Sequence, residues 1–178
     1  NIASGVGGGC VCEEATCIFS NSTIEHNVAG SEGGGVMQYY GNTVLTDTTI
    51  SYNDALDGAG GIRIYGRVDT GQTAISTLTR CTIKGNRVTT SSTVSTKGGA
   101  GMLVLWGSLV TIRASSFVHN DARAHQNVLK GDELMAYKHD SLGTPTIKLI
   151  NVDFSSLRND NIFGGYDSSG SSHVYTGT

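Results

Sequence analysis

Small and apolar residues return along this chain at a fixed distance, and the pattern between them predicts short β-strands. The segment 33–53 aligns without a gap on the segment 7–27, so one unit repeats after 26 residues. Within each unit, apolar and polar residues alternate with period two over short runs that end at Gly, Asn, Asp or Ser. No run has the 3.6-residue period of an amphipathic helix. We therefore expect two or three short strands per unit and no helix.

The unit continues beyond its second copy. It opens again at Gly58 and Gly98, and in a more divergent form at Gly131, with a predicted extruded loop at 67–72 and a Ser/Thr-rich loop at 88–97. Because positions repeat, and not only composition, successive units should stack as rungs in which each strand pairs in parallel with its counterpart. The sequence thus predicts an all-β parallel β-helix of about five rungs over residues 1–160, as a slice of a longer chain. Residues 161–178 form a Gly/Ser-rich tail or start a further rung.

Two pairs of columns are small or apolar in nearly every unit, and we predict that they face the interior. One pair is Cys10, Val36, Ile62, Met102 and Leu134, with Cys12, Gln38, Ile64, Val104 and Ala136 two residues later. The other is Ile24, Ile50, Ile83, Phe117 and Phe154, with Ser22, Thr48, Cys81, Ser115 and Val152 two residues earlier.

An asparagine column lies three residues after the Ile/Phe column. Stacked side-chain amides hydrogen-bond along such a column, and asparagine tolerates the left-handed backbone of a tight corner. The amides could instead serve as ligand donors, but we favour the structural role. The asparagine column consists of Asn27, Asn53, Asn86 and Asn120.

A second column lies on the outward side of the first strand and is unexpectedly rich in tyrosine. We call it the tyrosine face: Tyr39, Tyr65, Leu105 and Tyr137. An apolar outward stripe is either covered by another part of the parent protein or is a contact face, and tyrosine rings could also stack on sugars. The alternative is that these aromatic pairs only stabilise the sheet.

The cysteines and one sequon bear on the cellular compartment. Cys10, Cys12 and Cys17 lack a histidine or fourth cysteine at zinc-finger spacing, so we predict a local disulfide between Cys12 and Cys17, rather than a metal site, and an oxidising environment. Asn21 begins an Asn-Ser-Thr triplet and is a candidate N-glycosylation site.

Overall composition excludes some partners. A formal charge of −3 gives no basic surface, so we expect neither nucleic acid nor an anionic membrane as a partner. The longest apolar run, 102–106, is too short to span a bilayer, so we expect no membrane insertion by this segment.

The best candidate for catalysis or metal binding is the column one residue after the asparagines. From the first unit to the fourth, it consists of Val28, Asp54, Arg87 and Asp121. Two carboxylates near a guanidinium are found in β-helical polysaccharide lyases and hydrolases. Alternating charge instead favours an exposed ion-pair ladder, because a cation site would need uncompensated carboxylates. We therefore predict no enzyme activity, no cofactor and no metal site.

The paired motifs resemble a known repeat. Gly34-Gly35-Val36 with Ile50-Ser51-Tyr52-Asn53, and Gly98-Gly99-Ala100 with Phe117-Val118-His119-Asn120, are similar to the Gly-Gly-x-Ile and Phe-x-x-Asn motifs of polymorphic outer-membrane-protein repeats. That resemblance implies a right-handed parallel β-helix in a secreted or surface-displayed protein, often an adhesin.

Together these features predict an extracellular or cell-surface structural or adhesive module, including a subunit of a surface filament. Its expected partners are further copies or neighbouring domains, and glycans as a second class. The alternative function is a carbohydrate-binding or polysaccharide-degrading β-helix.

Overall fold

The computed structural model describes residues 1–89, 98–122, 133–137, 141–155, 164–166 and 172–173. Strands, and no helices, occur in these ranges. In chain order they are β1 (Ile2–Ala3), β2 (Cys10–Glu13), β3 (Thr16–Ser20), β4 (Thr23–Glu25), β5 (Val28–Ala29), β6 (Val36–Tyr39), β7 (Gly41–Thr46), β8 (Thr49–Ser51), β9 (Asp54–Ala55), β10 (Ile62–Tyr65), β11 (Ala74–Thr79), β12 (Thr82–Lys84), β13 (Arg87–Val88), β14 (Met102–Leu105), β15 (Leu109–Arg113), β16 (Ser116–Val118), β17 (Leu134–Tyr137), β18 (Thr146–Ile150), β19 (Asp153–Ser155), β20 (Gly164–Tyr166) and β21 (Ser172–His173).

The strands of the described ranges form four sheets, and successive rungs contribute successive strands to each. Sheet I has the order β2-β6-β10-β14-β17-β20-β21, sheet II β3-β7-β11-β15-β18, sheet III β4-β8-β12-β16-β19, and sheet IV β1-β5-β9-β13. Among the described strands, neighbours pair in parallel except β20 and β21. The prediction of an all-β fold of stacked parallel strands is therefore confirmed. The prediction of two or three strands per unit was too low, because a two-residue strand of sheet IV follows Asn27, Asn53 and Asn86. After Asn120, Asp121 forms only an isolated bridge to Arg87.

Strand register reproduces the predicted columns. In sheet I, Cys10 lies opposite Val36, and the column continues through Ile62 and Met102 to Leu134. In sheet III, the column of Ile24, Ile50, Ile83, Phe117 and Phe154 pairs in the same way. Both columns contribute to one hydrophobic core that runs through the rungs.

Sheet II supplies a core column that the alignment of the repeats did not predict. Its members pair in register: Phe19, Leu45, Leu78, Ile112 and Leu149. The distance from the glycine motif to this strand varies between rungs, because 67–72 is inserted in one of them. There Arg67 donates its backbone N–H to the Gln72 carbonyl, which confirms a loop that leaves the rung.

Several predictions fall outside the described residues. They concern residues 90–97 of the Ser/Thr-rich loop, the opening at Gly131, and all of the 161–178 tail except β20 and β21.

Candidate functional site

The asparagine column lines one inner corner of the rungs, between sheet III and sheet IV. All four asparagines are at most 5% exposed. Asn27 donates from both its backbone N–H and its Nδ2 to Oδ1 of Asn53, at 3.0 and 2.9 Å. The same pair of bonds joins Asn53 to Asn86 and Asn86 to Asn120. A buried amide ladder therefore links four consecutive rungs.

The second Nδ2 hydrogen is also used in Asn53, Asn86 and Asn120. Asn53 donates to the Ile24 carbonyl at 3.0 Å, and Asn86 donates to the Ile50 carbonyl at the same distance. The carboxamide thus satisfies a backbone donor and a backbone acceptor at a corner where strands end. Because unsatisfied buried polar groups are costly, this explains why asparagine itself is repeated.

The predicted backbone conformation of these asparagines is wrong. The left-handed conformation belongs to the residue before each one: His26 and Tyr52 both have φ of 53°, and Gly85 and His119 have 62° and 55°. That residue makes the corner and its side chain points outward. The asparagine is then left in ordinary conformation with its amide directed inward.

The glycine motif and the asparagine column touch each other. A β-carbon at Gly35 would lie 3.1 Å from Asn53 Nδ2 and 2.7 Å from the Gly61 carbonyl oxygen. The two motifs therefore occur together because the corner has no room for a side chain opposite the amide.

Glu133 occupies the glycine column in the next rung and ends the described ladder. Its backbone carbonyl accepts from Met102, and its neighbour Leu134 pairs with Met102. Its buried Oε2 accepts from Asn120 Nδ2 at 2.5 Å. A carboxylate thus takes the place of the next amide in a rung whose sequence has Leu157 where asparagine is expected; Leu157 lies outside the described residues.

The tyrosine face is not an open stripe. Tyr39 and Tyr65 are half-buried, with ring centroids 5.6 Å apart, but Leu105 is fully buried and Tyr137 is 6% exposed. The expectation that all four form a contact face is therefore wrong for Leu105 and Tyr137. These two residues pack in a separate hydrophobic cluster against which Tyr65 and Trp106 also pack.

Burial also shifts the pKa values of charged and phenolic groups near the tyrosine face. Arg63 is 6% exposed and forms an ion pair with Glu32, and burial lowers its pKa to about 10. Burial raises the pKa of Tyr39 and of Tyr65. The outward side of sheet I is therefore buried at Arg63, Leu105 and Tyr137, half-buried at Tyr39 and Tyr65, and exposed at Val11.

Cys12 and Cys17 form a disulfide, as predicted, with Cα atoms 6.2 Å apart. It joins β2 to β3 across their connecting turn. Cys10 has a free thiol 3.9 Å from Cys12 Sγ, and the free thiol of Cys81 is buried. Asn21 is exposed at a turn with φ of 47°. The sequon therefore lies on an accessible part of the surface.

Outside the asparagine corner, the side chains form a groove of about 370 Å³. We call it the corner groove. It is lined by His26, Tyr52, Asp54, Gly85, Arg87, His119 and Asp121. It contains the column that sequence analysis singled out for catalysis, together with the outward-pointing residues of the left-handed column.

The charges of the corner groove are paired across rungs. Arg87 donates from Nη2 and Nε to the two carboxylate oxygens of Asp54, at 2.6 and 3.2 Å. The hydrogen bond to Asp54 raises the pKa of Arg87, and the charge of Asp121 acts in the same direction. This is the ion-pair arrangement that charge alternation favoured. His125, the other histidine considered near Asp121, lies outside the described residues.

Two features are absent from the part of the chain that the structure describes. No group of three or more His, Cys, Asp or Glu in these ranges could hold a metal ion. None of the described segments forms a helix long and apolar enough to cross a membrane. Comparison of the chain with protein-family models, with curated proteins and with solved structures finds no match. Function is therefore inferred from the contacts above.

Proposed function

We propose that this chain is an extracellular or cell-surface solenoid module with a structural or adhesive role, and that the structural role takes the form of assembly into a surface filament or appendage. The proposed family is the polymorphic outer-membrane-protein type of repeat that the Gly-Gly and Asn motifs resemble. Its partners are further copies of the chain or neighbouring domains of the same protein.

The observation that carries the proposal is the buried amide ladder. It ties four rungs together by side-chain bonds in addition to the parallel backbone bonds. Buried polar residues can specify the register of a core. Here the register of each rung is the one in which its asparagine amide bonds to the asparagine amide of the next rung. A fixed register over many rungs suits a stiff rod that spaces or displays other groups.

The proposed assembly needs a strand on which a further rung can add, and β3 is one candidate. Among the described strands, β3 pairs on one side with β7 and lies at the end of sheet II. On this edge Ile18 is 70% exposed, and the nearby Val11 of β2 is 44% exposed. An uncovered edge strand is a template for another parallel strand, whether from the same protein or from a second copy.

The extracellular location is supported by two chemical features. The Cys12–Cys17 disulfide is stable in an oxidising compartment and rare in a reducing cytosol. Asn21 presents its sequon at an exposed turn, where an oligosaccharide could be attached. We assign no catalytic activity to the chain, because Arg87 engages Asp54 at the most catalytic-looking column.

Sedimentation velocity over a concentration series, with electron microscopy, tests the assembly. We expect elongated oligomers whose size rises with concentration. Ile18→Lys should reduce assembly because it places a charge on the edge strand. Ile75→Lys is the matched control, since Ile75 is also exposed on sheet II but lies on the internal strand β11.

A chain that remains monomeric at every concentration would refute the filament role. Equal effects of the two lysine substitutions would show that association does not use the edge. The carbohydrate-binding alternative predicted from the sequence would use the tyrosine face, where Leu105 and Tyr137 are buried and only Tyr39 and Tyr65 remain partly accessible.

A further inference from the structure

We propose that the corner groove binds an uncharged sugar ring within an oligosaccharide or polysaccharide. This inference concerns the outer surface of the rungs and does not depend on filament assembly. It rests on the shape of the groove, on a positioned aromatic ring, and on a polar rim whose charges cancel.

Gly85 gives the groove its shape. In the column of left-handed residues, the outward side chains are those of His26, Tyr52 and His119, and Gly85 lies between the last two. Rungs stack about 4.8 Å apart, so the backbones of Tyr52 and His119 are roughly 10 Å apart. The residue between them in this column is Gly85, which has no side chain. The missing side chain opens a depression that runs along the stacking direction.

The Tyr52 ring is held in this depression and is still accessible. A β-carbon at Gly85 would lie 2.6 Å from Tyr52 Cε1, so the ring rests against the glycine backbone. On the other side His26 stacks on it, with centroids 5.4 Å apart and an interplanar angle of 14°. Lys84 Nζ lies 5.8 Å from the ring centroid. Tyr52 is nevertheless 50% exposed and lines the groove, so part of its ring stays open to a ligand although the packing holds it in place.

The rim beside Tyr52 offers both donors and acceptors. The bidentate pair of Arg87 with Asp54 holds a guanidinium and a carboxylate in a fixed relative orientation. That pair uses two of the five N–H donors of Arg87 and leaves acceptor capacity on Asp54. Asp121 lies next to Arg87 in the following rung and completes the rim. Neighbouring hydroxyl groups, which donate and accept at once, match such a rim.

The balance of charge selects the class of sugar. Asp54 and Asp121 are offset by Arg87 and by Lys84, which lies over the Tyr52 ring, so these four side chains carry no excess charge for an anion or a cation. Phosphorylated, sulfated and uronate ligands would lack a free counter-charge. An uncharged pyranose can place its C–H face on Tyr52 and its hydroxyl edge on the rim.

A glycan array probed with the labelled 178-residue chain, followed by calorimetry with the best neutral oligosaccharide, tests the site. We expect neutral hexose polymers to bind better than uronate or sulfated ones. Tyr52→Ala and Arg87→Gln should each weaken binding by about tenfold or more, which corresponds to about 1.4 kcal/mol. Arg80→Gln is the matched control, because Arg80 makes the same bidentate bond to Asp47 at a different corner. Its affinity should be unchanged.

A second measurement uses the unmodified chain and so does not depend on the folding of a variant. Titration with the same oligosaccharide, followed by NMR, should move the signals of Tyr52, Gly85 and His119. Loss of binding in Tyr65→Ala, or shifts centred on Tyr39 and Tyr65, would place the ligand on the tyrosine face and overturn the proposal. Failure of every neutral glycan to bind, or preference for charged glycans, would also overturn it, while leaving the assembly experiment unaffected.

Discussion

Two kinds of side-chain bond connect neighbouring rungs, and they lie on opposite sides of the backbone. Inside, the same residue type repeats, and the asparagine of one rung donates to the asparagine of the next. Outside, Arg80 bonds Asp47 and Arg87 bonds Asp54, so the residue type must change from rung to rung. An amide is both donor and acceptor and can repeat without accumulating charge, whereas like charges placed above one another repel.

The comparison also separates the residues that stabilise the fold from those that are available to bind a ligand. The inner amides are buried and bond to one another and to backbone carbonyl groups. The outer pairs are exposed to solvent, where ion pairs contribute little to folding but stay available to a ligand. The inner ladder therefore determines register, and the outer residues are free to differ between rungs.

Removal of one ladder amide should have the largest effect. Asn86→Ala takes away the Oδ1 acceptor of two Asn53 donors and the Nδ2 donor of the Ile50 carbonyl. We expect the free energy of unfolding to fall by about 3 kcal/mol, because these buried groups lose their partners. Urea unfolding followed by circular dichroism measures it. Asn42→Ala, at an exposed position of β7, should cost less than about 0.5 kcal/mol, and an equal loss in the two variants would contradict the role of the ladder.

Crowding of the ladder should have the next largest effect. The added methyl group of Gly35→Ala would lie 2.7 Å from the Gly61 carbonyl oxygen and 3.1 Å from Asn53 Nδ2. We expect a loss of about 2 kcal/mol in the same unfolding assay, because the rungs must move apart. The control is Gly5→Ala, since a β-carbon at Gly5 meets nothing within 4 Å. If Gly5→Ala were as damaging, the effect would belong to glycine in general and not to the corner.

Loss of an outer ion pair should have the smallest effect on stability. The effect of pH on that pair should appear only at acidic pH. The hydrogen bond from Arg80 lowers the pKa of Asp47 below its ordinary value of 3.8. A lowered pKa means that the stabilising contribution is present above the ordinary pKa and is lost as the pH falls through the lowered one. NMR titration of the Asp47 carboxyl carbon measures the midpoint, and Arg80→Gln should return it towards 3.8. An unchanged midpoint in that variant would contradict the pairing.

Much of the interior could be predicted from the order of residues. The Ile24 and Val36 columns were recognised because each keeps its distance from a nearby glycine or asparagine, and the Cys12–Cys17 disulfide from the short spacing of the two cysteines. The Leu45 column of sheet II was not recognised, since the insertion at 67–72 changes its distance from the glycine motif. The left-handed conformation is predicted at the asparagine, because asparagine tolerates it better than tyrosine does. In the structure the residue before it, such as Tyr52, adopts that conformation instead.

The outer surface was harder to predict for a physical reason. Alternation along a strand assigns Leu105 and Tyr137 to the outward side, but it does not say what lies over that side. In the structure both are buried and belong to one hydrophobic cluster. The corner groove likewise depends on Gly85 lying between Tyr52 and His119 in neighbouring rungs, although these residues are far apart along the chain.

The order of residues already shows that the units stack, and it gives the register of sheets I and III, because residues that satisfy one another must repeat at equal positions. Tertiary structure alone decided which outward residues stay exposed and which of them meet in a groove. Stacking depends on bonds between equivalent positions, which a sequence repeat displays directly. Exposure depends on every segment that packs nearby, and that is settled only when the whole chain has folded.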